Sequence, residues 1–238
     1  MEEQALDRKM ATELSIENRN KLILYLSTFL SDSRRSKFDA VLHYRTRFLT
    51  VVLEDIYQPH NASAVLRSCD IFGIQDVHIV ENSNAYTLNK DVAMGSPKWL
   101  DLHKYRKQEN NSLVCIKKLK EKGYKIVATS PGKDDCNLDD LPIDTPTALI
   151  FGTELTGISN TVKENADAFV KIPMYGFTES FNISVSAALC LHTLTKKLHT
   201  STLEWQLTQD EKQELSLRWL RNSIKKVELI ERDYVAKL

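Results

Sequence analysis

Short apolar segments alternate with helical patterns through the middle of the chain, and this alternation constrains the fold more than any other feature of the sequence. The segment LTVVLED (49–55) has the apolar run that is typical of a buried strand. A helix is predicted over 60–73, and VHIVE (77–81) follows as the next strand. A strand, a helix and a second strand in this order predict two parallel strands joined by a crossover helix.

The same alternation continues toward the C-terminus. Five further elements are predicted, namely helix 110–122, strand 124–130, strand 147–152, strand 168–173 and helix 184–198. The first half of the last helix is apolar on nearly every side, which is typical of a buried helix. The whole pattern predicts an α/β fold with a mostly parallel sheet and helices on both faces.

The chain of 238 residues is long enough for one sizeable α/β domain with helical extensions. We expect an N-terminal helical extension over 1–43, the α/β domain over 44–199 and a C-terminal helical extension over 200–238. Thr208 and Glu211 have the spacing of a capping box at a helix start. Apolar residues then recur at helical spacing and predict one amphipathic helix through Leu217, Leu220, Ile224 and Val227.

Composition narrows the class of protein. Thirty-two basic residues balance 32 acidic residues, so the formal net charge is zero. Any basic surface that binds nucleic acid must therefore be confined to part of the molecule. The four cysteines form no C-x-x-C pair, which argues against a zinc site or a disulfide framework and favours a reducing, cytoplasmic environment. The N-terminus lacks the layout of a signal peptide, and no apolar run reaches the roughly 18 residues of a membrane span. We therefore expect a soluble protein with no membrane partner.

Several common catalytic motifs are absent from the sequence. The seven glycines form neither a G-x-G-x-x-G dinucleotide fingerprint nor a P-loop. The G-x-S-x-G motif of hydrolases is missing, and the six histidines have no H-E-x-x-H spacing. We therefore expect no bound metal, and these absences also disfavour a small-molecule enzyme of the ordinary dinucleotide-binding type.

The first of three polar segments is PHNASAVLRSCDIFG (59–73), which opens with Asn61 near the predicted helix start. Arg67 lies among apolar neighbours in a helix that must pack on the sheet, so we expect its side chain to be half-buried. A half-buried guanidinium needs an anionic partner or a full set of hydrogen bonds. An internal salt bridge and a functional site both meet that need.

The second segment, ALIFGTELTGIS (148–159), runs from an apolar strand directly into Gly152, Glu154 and Gly157. Glycines after a strand allow a sharp turn and a close approach of the backbone to a ligand. Glu154 follows a predicted parallel strand at its carboxyl end, where open α/β sheets bind ligands. The structural alternative is a strand-to-helix turn that is capped by a carboxylate.

The third segment, IPMYGFTESFNISVSAAL (172–189), places small polar residues just before the buried helix. These residues are Ser180, Asn182 and Ser184. We expect one of them to be the N-cap of the helix. Three exceed what one cap requires, so the others are candidates for binding a ligand.

In order and spacing, the three segments resemble the three motifs of the SpoU branch of the SPOUT methyltransferases, and most closely its tRNA guanosine-2′-O-methyltransferases. The resemblance covers about residues 45–198. It implies methylation of a guanosine ribose in tRNA, at guanosine 18 of the D-loop, with S-adenosylmethionine (AdoMet) as cofactor. It also implies a homodimer and a deep trefoil knot in the C-terminal part of the domain. The 2′-hydroxyl separates RNA from DNA, so no DNA partner is expected.

The family's functional residues carry over onto matching positions of this chain. The resemblance makes Arg67 the catalytic arginine, Asn61 its companion and Glu154 the residue of the second motif. From the third motif it brings Ser180, Asn182 and Ser184. The cofactor site of the family is built largely from loop backbone, which implies AdoMet contacts at Thr129, Gly152, Ile172, Met174 and Phe181.

The sequence leaves three questions open. Arg67 either accepts the proton of the hydroxyl or binds the neighbouring phosphate and places the ribose. The same motifs also serve rRNA 2′-O-methyltransferases, and a non-catalytic RNA-binding dimer is a further alternative. The third question concerns four clusters of basic residues, which either bind RNA or form an ordinary solvated surface. The clusters are Arg34, Arg35 and Lys37; Arg45 and Arg47; Lys117, Lys118, Lys120 and Lys122; and Arg218 to Lys226.

Overall fold

The computed structural model of the chain describes residues 16–130, 136–153 and 156–235. Within these ranges, seven strands form one sheet: β1 (Leu49–Glu54), β2 (Asp76–Val80), β3 (Asp101–Tyr105), β4 (Lys125–Thr129), β5 (Cys136–Asn137), β6 (Thr147–Phe151) and β7 (Ala168–Lys171). Their order across the sheet is β3-β2-β1-β6-β4-β7-β5, and every neighbouring pair is parallel. The predicted α/β fold with a parallel sheet is confirmed.

The described helices are α1 (Ile16–Ser27), α2 (Asp32–Tyr44), α3 (Pro59–Ile71), α4 (Lys90–Ala93), α5 (Asn111–Glu121), α6 (Asn160–Asn165), α7 (Ile183–His199), α8 (Gln209–Ser223) and α9 (Val227–Val235). A short 3₁₀ turn covers Ser96–Lys98. Each predicted helix and strand of the α/β domain is present, with ends that differ from the prediction by at most two residues.

Strand β1 has a neighbouring strand on each side, and helices cover both faces of the sheet at this strand. Val51 pairs with Val77 of β2 on one side and with Leu149 of β6 on the other. Because successive side chains point to opposite faces, Val51 packs in a core cluster with α3 and α7, whereas Val52 packs in a second cluster with α5. Burial on both faces explains why the strand reads as a continuous apolar run.

Two strands of the sheet were not predicted from the sequence. Strand β3 has the sequence DLHKY, and most of its side chains are at least partly exposed because it forms one edge of the sheet. Strand β5 forms the other edge and has only two residues. Polar or very short edge strands lack the apolar run that identifies a central strand.

The prediction of one amphipathic helix that continues through Val227 is wrong. Helix α8 ends at Ser223, and α9 begins at Val227. Lys226, between them, has a left-handed φ of 57°, a conformation that an α-helix does not contain. The predicted capping box is confirmed, since the Thr208 side chain accepts from the Glu211 backbone N–H and the Glu211 carboxylate accepts from the Thr208 backbone N–H.

The chain divides into two compact units. The first unit contains α1, α2, α8 and α9, and the second contains residues 46–205 with the whole sheet. In the first unit, Arg19 of α1 donates to Asp210 of α8 at 2.6 Å, and the ring of Phe38 meets that of Trp219 edge to face at 5.6 Å between centroids. These contacts join helices from the two ends of the sequence.

Within the described ranges, no helix combines the length and the apolar character that a membrane span requires. No group of three or more histidine, cysteine, aspartate or glutamate side chains is placed there to hold a metal ion. The trefoil knot and the domain boundaries at 44 and 199 stay predictions.

Candidate active site

The three polar segments all follow the carboxyl ends of strands. The first segment follows β1, the second follows β6 and the third follows β7. These strands lie close together in the sheet, because β1 neighbours β6 and only β4 separates β6 from β7. Since all are parallel, the three segments meet at one edge, the edge at which open α/β sheets bind ligands.

One hydrogen bond joins the first segment to the third. The Asn182 side-chain amide donates to Asn61 Oδ1 at 3.1 Å, across 121 positions of sequence. Asn61 is buried, and its own amide donates to Gln58 Oε1 at 3.2 Å, at the start of α3. Asn61 therefore has a fixed orientation in which it accepts from the third segment.

The polar residues of the third segment have different roles in the structure. Asn182 is the N-cap of α7, and its Oδ1 accepts from the backbone N–H of Ser184 at 2.9 Å. The Ser184 hydroxyl donates to the same oxygen at 2.6 Å. Ser180 is exposed and lines a pocket. One N-cap among the three was expected, and Asn182 fills that role while also binding Asn61.

The expectation that Arg67 is half-buried is wrong, because its side chain is exposed. Its sequence neighbours Val65, Leu66 and Cys69 are completely buried, but each residue turns a helix by about 100°, so Arg67 faces the other way. Among the residues that the structure describes, none forms a hydrogen bond or an ion pair with Arg67. The internal salt bridge that was its structural alternative finds no support there.

A pocket of about 120 Å³ lies next to the third segment, and two of its lining residues, Ser180 and Phe181, directly precede Asn182. It is lined by Thr129, Ser130, Val170, Ile172, Met174, Glu179, Ser180, Phe181, Ser186 and Cys190. Four of the five residues predicted to contact the cofactor are among them, namely Thr129, Ile172, Met174 and Phe181. They come from the ends of two neighbouring strands and from the third segment.

Gly152, the fifth predicted cofactor residue, is not part of the pocket lining. A Cβ atom on Gly152 would lie 2.3 Å from the carbonyl carbon and oxygen of Gly157 and 2.4 Å from the backbone nitrogen of Ile158. Thr153 and Gly157 exchange two backbone hydrogen bonds, of 2.9 and 3.1 Å, in the same turn. A glycine is thus required at this position because the backbone of the second segment comes too close for a Cβ atom. Glu154 lies outside the described residues.

Glu54, at the carboxyl end of β1, was missed by the sequence analysis. Its buried carboxylate accepts from the Ser159 backbone N–H at 2.9 Å, from the Ser159 hydroxyl at 2.7 Å and from the Ser112 hydroxyl. Ser159 is the N-cap of α6, so this contact holds the far end of the second segment against β1. The available signal was a glutamate inside an apolar strand, because a buried carboxylate requires hydrogen-bond donors.

Cys190 and Ser186 of α7 also line the pocket and were not predicted. They are four residues apart, so they lie on the same face of the helix. Burial raises the pKa of the Cys190 thiol to about 12. The thiol therefore stays protonated near neutral pH, and we regard it as an apolar wall of the pocket and not as a nucleophile.

Residues 48–192 match the SpoU rRNA Methylase family. A tRNA (guanosine(18)-2′-O)-methyltransferase of Borreliella burgdorferi is 45% identical over 211 residues, which cover 89% of this chain and 95% of that protein. The enzyme of the same name from Thermus thermophilus is 35% identical over 161 residues, which cover 68% of this chain and 81% of that protein.

Solved structures give the same picture of the fold. The crystal structure of the Aquifex aeolicus TrmH/SpoU tRNA modifying enzyme has a TM-score of 0.71 and 28% identity, over 82% of this chain and 98% of that chain. The SpoU methyltransferase AviRb from Streptomyces viridochromogenes, in complex with AdoMet, has a TM-score of 0.56 and 22% identity, over 68% of this chain and 62% of that chain.

Proposed function

Since the chain belongs to the SpoU rRNA Methylase family, we propose that it transfers a methyl group from AdoMet to the 2′-hydroxyl of guanosine 18 in tRNA, in the cytoplasm. The observation that carries the proposal is the Asn61–Asn182 hydrogen bond beside a pocket at the carboxyl edge of the sheet. Two relatives that are named tRNA (guanosine(18)-2′-O)-methyltransferases, one of them 45% identical, support the choice of substrate.

The pocket lining has the chemistry that AdoMet requires. Its apolar part, including Ile172, Met174 and Phe181, suits an adenine ring, and the hydroxyls of Thr129 and Ser130 suit a ribose. When bound, AdoMet supplies a methyl group on a sulfonium that loses its positive charge on transfer. We propose that Thr129, Ile172, Met174 and Phe181 hold the cofactor, and that Gly152 contributes through the turn it permits.

The exposure of Arg67 supports a role in binding RNA. Its side chain is exposed and lies on α3, whose first turn contains Asn61. A guanidinium binds phosphate through two parallel hydrogen bonds, and it normally stays protonated in proteins. We therefore favour a role in which Arg67 holds a phosphate next to the target ribose, with proton transfer by Arg67 as the alternative.

The polar residues of the three segments are proposed to position the reacting groups. Asn61 and Asn182 hold the start of α3 against the start of α7. Ser180 faces the pocket, and Ser184 fixes the Asn182 side chain. The proposed role of Glu154, to hold Asn61 or Arg67, rests on the family resemblance alone. Bringing a hydroxyl and a methyl group into near-attack geometry contributes on the order of 7–11 kcal/mol in favourable cases.

We also propose that the protein is a homodimer whose interface includes α3 and α7. Both helices expose apolar side chains, namely Ile71 on α3 and Val185 and Leu189 on α7. Exposed apolar patches of this kind are typical of protein interfaces. Light scattering tests the proposal, because a species of 27.3 kDa at micromolar concentration would contradict it.

Methylation of rRNA is the second candidate, because the matched family is described as an rRNA methylase family. One experiment separates the candidates: transfer of tritium from labelled AdoMet to a tRNA transcript, to the same transcript with 2′-deoxyguanosine at position 18, and to rRNA. We expect label only in the first, recovered as 2′-O-methylguanosine. Label in rRNA alone would favour the second candidate, and RNA binding without any label would indicate a non-catalytic protein.

A further inference from the structure

The pocket has one charged side chain among its described lining residues, and it is Glu179. The other lining residues are apolar or carry neutral hydroxyl or thiol groups. Glu179 is exposed, and among the described ranges it has no hydrogen-bond or ion-pair partner. A carboxylate that faces a pocket without an internal partner is available to a cation of the ligand.

The position of Glu179 relates it to the reacting end of the pocket. It is followed directly by Ser180 and Phe181, which also line the pocket, and then by Asn182, which binds Asn61. On the proposed function, methyl transfer takes place beside Asn61 and Asn182. The sulfonium that carries the methyl group must therefore be bound near this end of the pocket.

AdoMet and its product differ in charge at this atom. The sulfonium of AdoMet is positive, whereas the sulfur of S-adenosylhomocysteine is a neutral thioether, and both share the same amino-acid group. A nearby carboxylate stabilises the charged ligand and gives no such stabilisation to the neutral sulfur. We propose that Glu179 recognises the sulfonium and makes the pocket prefer the cofactor over the spent product. This inference rests on the proposed function.

Calorimetry with three ligands and no RNA tests the inference. The ligands are AdoMet, S-adenosylhomocysteine and sinefungin, an analogue with a protonated amine on the carbon that replaces the sulfonium. In Glu179→Gln, we expect the Kd for AdoMet and for sinefungin to rise about three- to fivefold, the upper part of the range for a solvent-exposed ion pair, with the Kd for S-adenosylhomocysteine unchanged. Glu179→Lys should raise the first two values further.

Glu121→Gln is the matched control, because it removes an exposed carboxylate at the end of α5, outside the pocket lining. It should leave all three Kd values unchanged. An equal rise for all three ligands in Glu179→Gln would place the carboxylate on the shared ammonium and overturn the inference, as would no change for any ligand. If the wild-type protein bound none of the three, the proposed function itself would fail.

Discussion

Arg47 precedes strand β1, Arg67 lies on the helix that follows it, and the two arginines differ in their surroundings. Arg47, just before β1, donates to Asp76 at the start of β2 and to Asp101 at the start of β3, the latter at 2.9 Å. Arg67, in the second half of α3, is exposed and has no partner among the described residues. The charge of Arg47 is satisfied internally at the amino end of the sheet, whereas the charge of Arg67 is available to a ligand.

The amino end is stabilised by mutual interactions among its ionisable groups. Asp76 is buried, which alone would raise its pKa, but the hydrogen bond from His103 and the charge of Arg47 outweigh burial and lower the pKa to about 2. His78 stacks on His103 with ring centroids 4.6 Å apart. Burial and the neighbouring His103 lower the pKa of His78 to about 3, so it is neutral in the folded protein at pH 7.

Replacement of the two arginines should separate activity from stability. We expect Arg67→Ala to lower the single-turnover rate of methyl transfer by about 10²–10⁴-fold, the range for loss of a positioned catalytic group. Its free energy of unfolding and its Kd for AdoMet should change little, because the side chain is exposed. Arg47→Ala should instead destabilise the fold by about 2–3 kcal/mol, because Asp76 and Asp101 lose their shared partner.

Urea unfolding and quench-flow methylation on both variants measure these effects. The proposed role of Arg67 is contradicted if Arg67→Ala unfolds far more easily than wild type yet methylates normally when folded, because Arg67 would then be structural. Arg67→Lys tests the proposed role of Arg67 more specifically. A phosphate-binding role predicts partial activity for this variant, since a lysine still attracts phosphate but does not bind it bidentately.

The carboxyl end also contains a position whose role is structural. We expect Gly152→Ala to lower the free energy of unfolding by about 2–4 kcal/mol, because a Cβ atom there would overlap the Gly157 backbone. Gly176→Ala is the matched control, because a Cβ atom at that loop position meets nothing within 4 Å. If the two variants were equally stable in urea and only Gly152→Ala bound AdoMet more weakly, Gly152 would have a role in cofactor binding and not in stability.

The last expected effect is a change in the pH dependence of stability at the amino end. The pKa of His78 falls from 6.5 in the unfolded chain to about 3 in the fold, so its contribution is fully present above pH 6.5 and is lost as the pH falls toward 3. In His78→Gln, the decline of unfolding free energy over this window should be shallower by up to about 1.4 kcal/mol per pH unit. Urea titrations from pH 7 to pH 4 measure it, and a slope equal to that of wild type would refute the assignment.

Residues of the site were predictable to different degrees. Asn182 was recognisable as a candidate N-cap from its place before an apolar helix, and the pocket contains five residues named by the resemblance, four of them as cofactor contacts. The exposure of Arg67 was not predictable from its apolar neighbours, because adjacent residues of a helix face different sides. The reason for Gly152 was likewise hidden, because its close contacts are with backbone five and six residues further along the chain.

The sequence by itself determined the order and type of the central elements, because strands that are buried on both faces of a parallel sheet require apolar runs, and these runs are recognisable in the sequence. The tertiary structure decided which polar residues meet. The contact between Asn61 and Asn182 spans 121 positions, and that between Glu54 and Ser159 spans 105. Such pairings depend on the strand order, which places β1 beside β6, and no local pattern in the chain encodes that neighbourhood.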